Sequence, residues 1–158
     1  MEIQALKLLI TEKDLNEIVA QHVPEDPEIR KIRIQLAAEG VYVTGVYQML
    51  FNVPFETLWE LAVAEGKLTA HLAGFKALGL PVSMFKSMLM NVVSEAVGSV
   101  EAIEVAADSL HLDVERLLAR EGFSVRTNLT AVRCHAGHMV LEAAANGELT
   151  QARSDSPC

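Results

Sequence analysis

The chain has 158 residues, 51% of them hydrophobic and 22% charged, enough for one domain with its own core, and its uncharged apolar runs fall far short of the roughly 20 residues that cross a bilayer as a helix. Thirteen Lys and Arg against 21 acids give a net charge of −8, which argues against a nucleic-acid groove and against adhesion to anionic membranes by charge alone, because both rest on clustered cations. Two cysteines, Cys134 within an element and Cys158 at the last position, make no disulfide framework, so a reduced, cytoplasmic protein is expected.

The opening MEIQALKLLITEKD has neither a basic n-region nor a small-residue cleavage site and is read as the start of the fold. Leu6, Leu8 and Ile10 alternate with Lys7 in a strand over 3–10. Thr11 then caps a helix, with Asp14 three residues on as its capping-box partner. Leu15, Ile18, Val19 and His22 share one face of that helix, while Glu12, Lys13, Asn16, Glu17 and Gln21 are expected to point to water. PEDP at 24–27 stops it.

From residue 28 the period changes to two. Ile32, Ile34 and Leu36 alternate with Lys31, Arg33 and Gln35, and a turn at Glu39-Gly40 leads into a long alternating run. Val41, Val43, Met49, Phe51, Val53 and Phe55 take its odd positions, followed by Trp59, Leu61 and Val63. Pro54 predicts a bend or edge position there and a new strand after it. Glu65-Gly66 is the next turn, and Leu68, Ala70 and Leu72 continue the alternation. The single glycines Gly45 and Gly74 inside strands predict bulges or bends.

LPVSMFKSMLMNVVSEAV at 80–97 reads as an amphipathic helix introduced by a Gly-Leu-Pro segment and stopped by Gly98-Ser99. Phe85, Met88, Leu89, Val92, Val93 and Ala96 make its apolar stripe, which Met84 and Met90 widen beyond the usual arc. Three of the six methionines of the chain fall here, and methionine suits a surface that repacks around varied apolar ligands. Beyond it, Val100, Ile103 and Val105 lead to a turn at 107–109 and a strand carrying Leu110 and Leu112. VERLLAR is a short helical turn closed by Gly122. Phe123, Val125, Thr127 and Leu129 form a strand that returns after Ala136-Gly137 as 138–144. The expected fold is α+β: a highly curved antiparallel sheet, a meander of about eight strands, wrapped around two α-helices. It occupies 1–145 as one domain, with a disordered polar tail at 146–158.

Signatures of catalysis are absent: no phosphate loop, dinucleotide fingerprint, nucleophile elbow or zinc-protease helix occurs. CHAGH at 134–138 groups Cys134, His135 and His138, but Cys134 and His135 fall on opposite faces of a strand and cannot converge on a metal. Cys134 as a nucleophile lacks a base, so a buried structural role is expected. His71 and Lys67, like His111 and Asp113, share the solvated face of their strands and are read as surface residues. Neither a metal, a cofactor nor an enzymatic activity is expected.

The capped ITEKDLN segment, the one-sided meander, the LPVSMFKSML helix and the closing LHLDVERLLAREGFSVRTNLTAVRCHAGHMVLEA together resemble the LmeA-like phospholipid-binding family, which is similar to tubular lipid-binding (TULIP, BPI-like) domains. The likeness covers about 3–145 and rests on hydrophobic pattern and turn placement. It implies a curved sheet around a long helix, an apolar channel for acyl chains and no catalytic residues. It directs Leu15, Ile18 and Val19 of the first helix, and Phe85, Met88, Leu89 and Val92 of the second, at the sheet. Family members are commonly exported or membrane-anchored, whereas neither an export signal nor an anchor is expected for this sequence. The expected function is therefore binding of a lipid or other apolar ligand, without catalysis, in a groove lined by these residues with Met84, Phe51 and Trp59. The alternative is a structural or interaction module with a filled core, forming a homodimer through a sheet edge or an apolar helix face.

Overall fold

A computed structural model describes residues 5–22, 28–48, 50–77, 79, 81–97, 100–120, 122 and 127–145. The expected positions Ile3, Met49, Leu80, Phe123 and Val125, the helix stops at 24–27 and 98–99, and the tail at 146–158 lie outside them. In chain order the elements are β1 (Ala5–Thr11), α1 (Glu12–His22), β2 (Ile29–Ala37), β3 (Gly40–Gln48), β4 (Asn52–Ala64), β5 (Lys67–Ala77), α2 (Val82–Val97), β6 (Ile103–Ala106), β7 (Ser109–Leu112), α3 (Val114–Arg120), β8 (Thr127–His135) and β9 (His138–Ala145).

The architecture is α+β and its pairings are antiparallel, but the strands form two sheets and not one meander. Six strands run in the order β2-β3-β4-β5-β7-β6, and β9 pairs with both β1 and β8 in a second, three-stranded sheet. The last hairpin recruits the first strand, a long-range pairing that local periodicity does not encode. Alternation holds through most of β4 and the first half of β5, while in β8 the buried face shifts by one residue between Leu129 and Val132 at a bulge. Phe55, Trp59 and Leu61 on β4, Leu68, Ala70 and Leu72 on β5, and Leu129, Val132, Met139 and Leu141 on the second sheet meet Phe85, Leu89 and Met90 of α2 in one core. Burial of these apolar side chains is the main source of stability.

Two strand details depart from the expected pattern. The chain does not break at Pro54, because β4 runs through it and pairs Pro54 with Val46. Among the described residues the last β5 pairing is Phe55 with Ala77, so Pro54 lies beyond the described pairing on that side, an edge position that suits a residue without an N–H. The reversal falls instead just before β4, where Leu50 and Phe51 occupy the β3–β4 hairpin tip. Gly74 does sit beside a bulge: the β4–β5 register slips between Leu58–Gly74 and Trp59–Leu72.

Helix α1 begins as expected. Thr11 N and Oγ1 donate to Asp14 Oδ2 at 2.9 and 2.8 Å, and Asp14 N donates to Thr11 Oγ1 at 3.2 Å, a complete capping box. The backbone hydrogen bond from Thr11, then that from its hydroxyl, holds the Asp14 carboxyl below its ordinary value of 3.8. A depressed carboxylate contributes stability above its unfolded pKa and loses it as pH falls through the folded one. Titration below about pH 4 should therefore fray α1, and Asp14→Asn should flatten that dependence in circular dichroism.

The polar face of α1 does not all point to water. Asn16 Nδ2 donates to Ile34 O at 2.9 Å and to Glu12 O at 2.8 Å, and Ile34 N donates to Asn16 Oδ1 at 2.8 Å. Glu12 Oε1 accepts Leu36 N at 2.8 Å, and Leu36 O accepts Gly137 N at 3.1 Å. The outward backbone groups of Ile34 and Leu36, on a sheet edge that would otherwise be open to another strand, are thus satisfied by one amide, one carboxylate and the β8–β9 turn. Asn16→Ala should cost about 1–3 kcal/mol in urea unfolding, and Asn16→Asp should also destabilise, because it sets a carboxylate oxygen against the Ile34 carbonyl.

Candidate functional site

Helix α2 packs against β5 and β6. Its stripe is divided. Phe85, only 2% exposed, lies between Phe55 and Phe75 at centroid distances of 5.7 and 5.9 Å, and Leu89 and Met90 are buried with it. Met84 is 53% exposed, and Met88 and Val92 are half-buried on the same helix. Met90, one of the two residues that widen the stripe, belongs to the core, and Met84 is the one left outside. Trp59 is buried, with Nε1 donating to Thr57 Oγ1 at 2.9 Å, while Thr57 Oγ1 donates to Val43 O at 3.1 Å. Thr57 occupies an inward position of β4 as a polar residue, which only the tryptophan two residues on hints at in sequence.

The α1 residues expected beside α2 sit elsewhere. Leu15 and Val19 are half-buried and Ile18 is 49% exposed, on a helix that packs against β1 and β2. In the six-stranded sheet β2 and β5 are separated by β3 and β4. Phe51 is 57% exposed at the hairpin tip and does not face the core. A depression of about 520 Å³ opens on the other side of the sheet, lined among others by Lys31, Thr44, Pro54, Glu56 and Lys76.

The other candidates resolve into structural roles. Cys134 is buried and disulfide-bonded, not the free thiol expected, and so is no nucleophile. His135 is exposed and stacks on His138 at 4.9 Å across the turn, flanking it as expected. Among the described residues no group of three His, Cys, Asp or Glu side chains is placed to hold a metal ion.

His71, Asp108 and Ser109 do approach one another. His71 Nδ1 lies 3.2 Å from Ser109 Oγ and 3.5 Å from Asp108 Oδ1, Ser109 Oγ donates to Asp108 Oδ1 at 3.3 Å, and Lys86 Nζ is 3.6 Å from Asp108 Oδ2. An activated serine needs its base at one ring nitrogen and the orienting carboxylate at the other. Here both oxygens meet Nδ1, in solvent, and the cluster instead fastens β5, the β6–β7 turn and α2 together. Asp113 accepts Arg116 N at 3.2 Å as the cap of α3 and does not pair with His111 for acid–base work.

None of the family models, curated proteins or solved structures compared with the chain matches it. Among the described residues no helix is long and apolar enough to cross a membrane.

Proposed function

We propose that this chain is a non-enzymatic binding domain that holds a lipid or other apolar ligand between the six-stranded sheet and α2, as in tubular lipid-binding domains. The observation that supports this reading is the divided stripe of α2. Phe85, Leu89 and Met90 anchor the helix, while Met84, Met88 and Val92 stay partly exposed as an apolar seam on a helix that packs against β5 and β6. Methionine side chains repack at low cost, so an acyl chain can part this seam without unseating the anchors. Leu15, Ile18 and Val19, on the helix at β2, are left out of the proposed lining.

The competing reading, a module that self-associates through a sheet edge, loses one of its edges, because the outward groups of Ile34 and Leu36 on β2 are already hydrogen-bonded within the chain. Native mass spectrometry of protein purified without detergent, together with titration of a fluorescent fatty acid, tests the proposal. A co-purified lipid mass or saturable probe binding that Met88→Gln weakens is the expected result. A clean apo mass with no saturable binding overturns it.

A further inference from the structure

We infer that the β3–β4 hairpin tip is a membrane-docking element: Leu50 and Phe51 enter the interface of an anionic lipid bilayer while Arg30, Lys31, Arg33 and Lys76 meet its head groups. Leu50 is 101% exposed and Phe51 57% exposed, consecutive at a reversal between the paired residues Gln48 and Asn52. Two large apolar side chains held together at a projecting tip are costly in water, and a leucine beside an aromatic ring suits the boundary between head groups and acyl chains.

Charge points to the same partner. The register sets Arg30 opposite Val46, Arg33 opposite Thr44 and Lys76 opposite Glu56, so cations stand on both sides of the strands that lead to the tip. Lys31 and Lys76 border the same 520 Å³ depression. None of these four makes an ion pair among the described residues, and the acids beside them there are Glu28, which accepts the Tyr47 hydroxyl, and Glu56. In a chain of net charge −8 these four cations offset that charge locally at this end, which favours the tip over the average surface as the side turned to an anionic bilayer. Because charge alone is insufficient, the apolar pair must supply part of the binding. The inference is independent of what occupies the α2 seam.

Co-sedimentation with phosphatidylcholine vesicles, with and without phosphatidylserine, tests it. The chain should bind the phosphatidylserine vesicles and release as salt rises. Leu50→Ser with Phe51→Ser should abolish binding without lowering the melting temperature, because both side chains lie outside the core, and should leave any lipid mass held at α2 unchanged. Lys31→Glu with Lys76→Glu should weaken partitioning by about tenfold or more. No binding to either vesicle, or unchanged binding by the double serine variant, overturns the proposal. So does a dimer in light scattering that the double serine variant converts to monomer, since the tip would then face a second copy of the chain.

Discussion

Phe85→Ala should destabilise the protein by about 3–5 kcal/mol, a large share of the roughly 5–15 kcal/mol available to a small domain. Phe85 is 2% exposed and its ring contacts Phe55 and Phe75 from opposite strands, so truncation removes the contact by which α2 holds both β4 and β5. The void cannot collapse easily, since Phe55 is also packed over Gly45 and Phe75 is fixed by its pairing with Thr57. Leu89 and Met90 remain as anchors, so the helix should loosen before the sheets unfold. Urea denaturation should show a lower midpoint, and a hydrophobic dye should bind more strongly before the main transition. Met84→Ala supplies the control: on the same helix but 53% exposed, it should stay within about 0.5 kcal/mol of the parent. Equal losses at the two positions would mean that the division of the stripe into core and seam is wrong.

Sequence periodicity captured the elements better than their assembly. The capping box at Thr11 and Asp14, the turns at Glu39-Gly40, Glu65-Gly66 and Ala136-Gly137, and the closure of α3 at Gly122 are local, and local chemistry specifies them. The division into two sheets was not legible, because the pairing of β1 with β9 joins opposite ends of the chain and either sheet would satisfy the same alternation. At Pro54 the expected edge position agrees with the pairing, since the last described β5 partner is Ala77 opposite Phe55, and only the expected new strand fails, because β4 runs on through the proline. Asn16 and Glu12 misled for a different reason. Amphipathic periodicity sorts side chains by polarity, and a polar side chain that satisfies a sheet edge is indistinguishable in that sorting from one that meets water. The candidate site divided in the same way: the stripe of α2 was visible, but which of its methionines would be buried depended on the tilt of the helix over β5 and β6.

Gly40→Ala should cost about 3 kcal/mol or more, because two independent penalties fall on one residue. Its φ is +149°, a conformation that a residue with a Cβ adopts only under strain of about 1–3 kcal/mol. The added Cβ would also overlap the Trp59 carbonyl oxygen and come within 3.3 Å of Leu58 Cδ1. A backbone carbonyl inside a sheet cannot swing aside, so relief requires β3 to move off β4, and overpacking of that kind costs about 1–3 kcal/mol more. Two other glycines separate the two penalties. Gly137 has φ +84° and nothing within 4 Å of where a Cβ would stand, so Gly137→Ala should register the conformational penalty alone. Gly45 has no such positive φ, but its Cβ would stand 2.7 Å from Phe55 Cζ, so Gly45→Ala should register the contact alone. Chemical denaturation of the three variants should place Gly40→Ala below both of the others, with a loss near the sum of theirs. A Gly40→Ala variant as stable as Gly137→Ala would mean that β3 and β4 separate at the Trp59 carbonyl with little resistance. The buried Trp59, whose indole is held by Thr57, would then lose the rigid wall that the core requires on that side.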